Sequence, residues 1–164
     1  MNIDERNHID VGLGKIFLTN PPGVLVSIGI GSCVVLCLYH RATKTAGMAH
    51  IMLPESNERF ILFDRPAKYA EPAVENLLER FSKMGIRNHH SLTAKIIGGA
   101  QLFLFKQVPN IGAKNIEVVK KALEEHRIPL KSESVGGNYG RSVWFFSDTG
   151  KVLVRNKLRE IIEI

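Results

Sequence analysis

The sequence predicts an α+β (α/β) sandwich of mixed, largely antiparallel sheets with two main helices. Three observations predict it: a front third made of short β-rich runs broken by Pro and Gly, two later segments with apolar residues at helical spacing, and a return to strand–turn–strand near the end. Strands clustered at the front with helices inserted behind them argue for stacked layers rather than strict βαβ alternation. The 164 residues are read as a single domain, 1-164, since domains most often run to about 100–150 residues. Hydrophobic residues make up 45% and charged residues 23%, a globular balance that excludes a disordered or fibrous chain.

Taken in order, strands are expected at Ile9–Leu13, Lys15–Leu18, Val24–Ile28, Val34–Tyr39 and Gly47–Leu53, with turns at Asn20-Pro21-Pro22-Gly23 and Gly29–Ser32. A polar loop from Pro54 to about Pro66 follows. Lys68–Met84 reads as a helix because Ala70, Val74, Leu77, Leu78 and Phe81 fall on one face and Gly85 stands at the C-terminal cap. Leu92–Ile97 reads as a buried strand ending in Gly98-Gly99. Asn115–His126 is a second amphipathic helix with Val118, Val119, Ala122 and Leu123 on one side. Asp148-Thr149-Gly150 joins Ser142–Ser147 and Lys151–Arg155 as a hairpin.

Leu18 to Tyr39 carries no charge. Sixteen helical residues from Val24 would span about 24 Å, short of the roughly 30 Å hydrocarbon core. Gly29, Gly31, Ser27 and Ser32 interrupt the run, and its valines favour strands, so it reads as two buried strands joined through a glycine turn rather than a membrane insertion. The start, Met1 to Arg6, has no apolar h-region and is read as carrying no signal peptide.

Lys and Arg number 22 against 16 acidic residues, a net charge of +6. This balance favours an anionic partner (nucleic acid, a membrane surface or an acidic protein) beside the plain alternative of a positive soluble surface. No basic run interleaves with aromatics, so a nucleic acid is not the expected partner. The two cysteines, Cys33 and Cys37, would lie about 13 Å apart on one strand, too far for a disulfide. Free thiols fit a reducing cytoplasm. No second cysteine pair or spaced histidine pair completes a metal site.

Cys37, between Leu36 and Leu38, reads as core. Cys33 differs because it follows Gly29-Ile30-Gly31-Ser32, where turn amides can point at whatever binds beside the sulfur, an arrangement suited to acyl transfer. The alternative is an inert buried thiol. A thiol of pKa about 8.5 needs a base, and a catalytic Cys33 would show as an exposed, low-pKa thiol beside an unreactive Cys37. If Val34–Tyr39 and Gly47–Leu53 form a hairpin with the loop His40–Thr43, Tyr39 faces Lys44 and Cys33 stands opposite His50. His50 could equally be a satisfied core histidine. Ser27, brought across from Cys33 by a three-residue turn Gly29–Gly31, could accept the imidazole N–H and orient it. Gly136-Gly137-Asn138-Tyr139-Gly140 does not match the dinucleotide fingerprint and reads as a turn. Arg141 beyond it is open to two readings, a substrate clamp or a surface salt bridge.

Several fragments recur in order: Gly29-Ile30-Gly31-Ser32-Cys33, Gly47-Met48-Ala49-His50, Lys68-Tyr69-Ala70, Lys95-Ile96-Ile97-Gly98-Gly99-Ala100 with Phe103, Ile111-Gly112-Ala113-Lys114-Asn115, and Val135-Gly136-Gly137 with Gly140-Arg141. Together, from Ile9 to Arg155, they resemble the chemoreceptor glutamine deamidase family, CheD. The resemblance implies a sandwich similar to that of deamidating bacterial toxins and a hydrolase of chemotaxis signal transduction. It would convert receptor glutamine side chains to glutamate with ammonia release, through a cysteine thioester and without a cofactor. The implied catalytic residues fall on Cys33, His50 and Ser27, where the family more often has threonine at the last. Ile97 and Lys114 stand where phenylalanine and arginine are more usual. The implied partners are the cytoplasmic domains of chemoreceptors, as substrate, and a CheC-type phosphatase. The alternative reading is a chain that mainly binds and regulates that phosphatase.

Overall fold

Two five-stranded sheets and a pair of helices stack in three layers, and the central strands are buried on both faces. The computed structural model describes residues 7–55, 64–103 and 109–164; the start from Met1 to Arg6 and most of the expected Pro54–Pro66 loop lie outside the described residues. The elements are β1 (His8–Asp10), β2 (Ile16–Thr19), β3 (Val24–Ile30), β4 (Val34–His40), β5 (Thr45–Ile51), α1 (Ala70–Lys83), β6 (Leu92–Gly98), α2 (Ile111–Glu125), β7 (Leu130–Val135), β8 (Arg141–Phe146), β9 (Val152–Asn156) and β10 (Ile161–Glu163). One sheet has the order β1-β3-β8-β9-β10 and the other β2-β5-β4-β6-β7. Among the described residues each contains a single parallel pair, β1 with β3 and β6 with β7.

In the second sheet the two faces read alternate residues. Val34, Leu36, Leu38, Ala49 and Ile51 point at the helices, where Val74, Leu77, Leu78, Phe81, Val119 and Leu123 complete one core. Val35, Cys37, Ala46 and Met48 point the other way, at Leu25, Val143, Phe145 and Val154 of the first sheet, and make a second core. Gly47 is glycine because a Cβ there would run into the Phe81 ring and Leu77, so the residue type sets how closely α1 lies on β5. Among the described residues, no helix covers the outer face of the first sheet, where Val24, Val26, Trp144 and Leu153 form a small cluster of their own.

Three expectations change. The uncharged stretch does fold as two strands, but β3 and β4 belong to opposite sheets, so Gly31–Cys33 carries the chain across the sandwich rather than closing a hairpin. The β4–β5 loop is Arg41–Lys44, with Lys44 in the left-handed region (φ 51), and His40 pairs with Thr45. The predicted register is therefore off by two: Val35, not Cys33, faces His50. A shift of two keeps every side chain on its face, whereas a shift of one would have reversed them. Finally, α2 begins at Ile111 because Asn110 caps it, its side chain accepting from Ala113 N at 3.0 Å.

Candidate active site at the junction of the two sheets

Cys33 lies where the chain enters β4. Its carbonyl accepts from Gly99 N at 2.7 Å, and the preceding Gly31 carbonyl accepts from Ala100 N at 2.9 Å. These two bonds tie the crossing segment to the end of β6. Gly98, at φ 109, has no room for a side chain: an added Cβ would strike the Cys33 carbonyl oxygen and Ile30. From the helix side, buried Asn115 donates through Nδ2 to Ser32 O at 2.9 Å and Met52 O at 3.1 Å, so α2 ties the segment entering β4 to the segment leaving β5. The Cys33 side chain is half-buried and packs against the inter-sheet core.

His50 shares that inter-sheet face, one ladder step along from Cys33 on the neighbouring strand; such diagonal neighbours are about 7–8 Å apart and within reach of long side chains. Its backbone is fixed by Gly14 N donating to His50 O at 2.9 Å and His50 N donating to Lys15 O at 3.0 Å. Nδ1 lies 3.0 Å from Val11 O. A carbonyl can only accept, so Nδ1 carries the proton and Nε2 is left as a lone pair. Nε2 is buried and has no hydrogen-bond partner among the described residues.

Ser27 is fully buried in the first sheet, paired with Val143. Its hydroxyl donates to Val11 O at 2.7 Å and lies 3.4 Å from Met48 Sδ. The expected bond from the imidazole to Ser27 is replaced: the orienting acceptor is the Val11 carbonyl, and Ser27 and His50 meet on it from opposite sheets. A main-chain carbonyl has no signature in a sequence, which is why Val11 could not be picked out. Asn115 could have been, since it stands on the apolar face with Val119, Ala122 and Leu123.

Burial sets the electrostatics. Desolvation pushes the Cys33 thiol up from its ordinary value, while hydrogen bonding from the Cys33 backbone works the other way. Desolvation likewise holds His50 below 6.5, partly offset by the Val11 carbonyl and by Asp10. At neutral pH the pair is thus a neutral thiol beside a neutral imidazole, not the exposed low-pKa thiol that a catalytic Cys33 was expected to present. Burial raises Cys37 much further, in keeping with a core thiol.

An apolar groove adjoins the corner, lined by Ser32, Ala100, Leu102, Phe103, Pro109 and Ile111 among others, with a volume near 130 Å³. Leu102 and Phe103 are 45% and 69% exposed there. Of the two readings of Arg141, the surface salt bridge is excluded: the residue is 3% exposed and donates to Ser134 Oγ (3.2 Å) and Gly136 O (2.8 Å). Among the described residues, no helix is long and apolar enough to cross a membrane.

Residues 52–156 match the family model described as CheD chemotactic sensory transduction. The chain is 46% identical over 145 residues to the chemoreceptor glutamine deamidase CheD of Thermotoga maritima, covering 88% of this chain and 89% of that one. To the protein of the same description in Halalkalibacterium halodurans it is 41% identical over 151 residues, covering 90% and 92%. To the probable chemoreceptor glutamine deamidase CheD of Clostridium novyi it is 41% identical over 158 residues, covering 94% of each. A crystal structure of the Bacillus licheniformis hypothetical protein YfiH is similar at a TM-score of 0.46 and 13% identity, covering 73% of this chain and 49% of that one.

Proposed function

The chain belongs to the CheD family, and from that premise we propose that it is a chemoreceptor glutamine deamidase that hydrolyses receptor glutamine side chains to glutamate, with Cys33 as nucleophile, His50 as general base and acid, and Ser27 as a positioning residue. The observation that carries the assignment of residues is the buried, unpartnered Nε2 of His50 on the face it shares with Cys33, its tautomer fixed by Val11. A buried nitrogen lone pair left unpaired costs about 1–3 kcal/mol, and a thiol proton is a partner it could take.

The geometry supports the following sequence. As the Cys33 sulfur bonds to the carboxamide carbon, its proton passes to His50 Nε2, so neither group need be charged beforehand. The carbonyl oxygen gains negative charge, which the backbone N–H of Cys33 would receive. His50 then gives its proton to the departing nitrogen. The C–N bond breaks, ammonia leaves and a thioester remains. Nε2 next takes a proton from water while the hydroxide adds to the thioester carbon. The C–S bond breaks, the proton returns to sulfur, and glutamate is released. The Ser27 hydroxyl, by occupying Val11 O, fixes the carbonyl against which the imidazole is set.

The test is incubation with a receptor cytoplasmic fragment, reading ammonia release and conversion of glutamine to glutamate by mass. Conversion is expected with the wild-type chain and with Cys37→Ser, and none with Cys33→Ala. Conversion that persists in Cys33→Ala overturns the nucleophile. This reading sets the reaction in the cytoplasm. A CheC-type phosphatase is the regulatory partner that the resemblance implies, and failure to capture one at micromolar concentration removes it.

A further inference from the structure

On the first sheet, a cleft of about 470 Å³ is walled by Arg141, Arg155, Lys157 and Arg159 together with Ser142 and Gly29, which precedes Cys33 by four residues. Among the described residues, no carboxylate lines it. None of its four cations forms an ion pair among the described residues, whereas five surface lysines elsewhere, Lys83, Lys114, Lys120, Lys121 and Lys151, each lie against a glutamate. Glu160, next to Arg159 in the chain, accepts instead from Asn156 Nδ2 at 2.7 Å.

Two of the guanidinium groups are held in place. Arg141 is fixed by Ser134 Oγ and Gly136 O and stacks 4.3 Å from the Tyr139 ring centroid. Arg155 lies 5.0 Å from that of Trp144. Pre-set, planar guanidinium groups lose little freedom on meeting a carboxylate and match its geometry. Four like charges round one cleft repel one another, and an anion entering it relieves that repulsion.

We propose that this cleft is a carboxylate-binding subsite that takes aspartate or glutamate side chains of the polypeptide substrate near the target glutamine. The proposal rests on the deamidase reading, because that reading brings a polypeptide to Cys33. Gly29 is four residues before Cys33, so the two Cα atoms are at most about 14 Å apart. That reach corresponds to about nine residues along a helix or about four along an extended segment. Since the reaction turns glutamine into glutamate, a product side chain at that spacing would itself become a ligand for the next turnover.

The test compares two synthetic peptides that share one central glutamine, one with glutamates within nine residues of it and one with alanines in their place. For the wild-type chain the acidic peptide is expected to show a KM about tenfold lower, as three exposed ion pairs of modest strength would give, with the preference shrinking as salt is added. In the variant carrying Arg155→Gln, Lys157→Gln and Arg159→Gln the two KM values are expected to converge. The variant Lys83→Gln, Lys121→Gln and Lys131→Gln, which removes the same charge elsewhere, is expected to keep the preference. Equal KM values in the wild-type chain, or a preference lost equally in both variants, would overturn the subsite. So would displacement of the peptide by inorganic phosphate at matched ionic strength, which would give the cleft to a free anion. If neither peptide is deamidated, the deamidase reading fails separately, and anisotropy of the labelled acidic peptide with the wild-type chain and the two variants still decides the subsite.

Discussion

His50 answers to two groups at once, a carbonyl that fixes its proton and a sulfur that needs its lone pair. Because burial holds it below 6.5, the acid limb of kcat/KM is expected below pH 6.5, read from a pH–rate profile on a neutral substrate. The same depression is a statement about stability. The unfolded state binds the proton more readily, so the contribution of His50 is complete above its unfolded value and is lost as pH falls through its folded one. Urea midpoints taken between about pH 7 and about pH 5 should therefore fall more steeply in the wild-type chain than in His50→Gln. Ser27 separates orientation from support. Since Val11 and not Ser27 receives the imidazole N–H, Ser27→Ala is expected to cost about 0.5–1.5 kcal/mol of stability while lowering kcat by less than about tenfold, against about 10²–10⁴ for His50→Ala.

The segments around the corner act through one another. Gly98→Ala, with no room beside the Cys33 carbonyl, is expected to lower kcat and to destabilise the chain by about 1–3 kcal/mol in urea titrations. Asn115→Ala should cost a similar amount, because Ser32 O and Met52 O lose their donor. Much of the element pattern was legible beforehand. α1 announced itself through the spacing of Ala70, Val74, Leu77 and Phe81, and β3, β4 and β6 through runs of apolar and β-branched residues. β7 and β10 were not, because Lys131, Ser132, Glu133 and Ser134 make a polar edge strand and β10 is three exposed residues. The parting of β3 and β4 into different sheets was also hidden, since a glycine-rich hairpin and a glycine-rich crossing look alike until long-range pairing decides between them. At the site, the sequence placed Cys33 and His50 on one face through strand parity, missed the ladder step between them, and had no means of finding a carbonyl.

At the scale of the molecule, three layers share two cores, and the second sheet belongs to both. Loss of either core should therefore unfold the whole. The sole tryptophan, Trp144, lies on the outer face of the first sheet, far from the helices. Phe81→Ala empties the other core and is expected to cost about 3–5 kcal/mol. If residues 1-164 form a single cooperative unit, Trp144 fluorescence and helical circular dichroism will shift together in that variant, with coincident midpoints. Separate transitions would divide the chain into two units.

Val11 O takes one bond from Ser27 in the first sheet and one from His50 in the second. The aim of the imidazole is thus a gauge of how the two sheets are stacked: a slip of one layer over the other, too small to expose either core, would swing the ring and silence the sulfur. Activity should vanish in denaturant ahead of any spectroscopic sign of unfolding, which makes turnover the most sensitive strain meter this sandwich possesses.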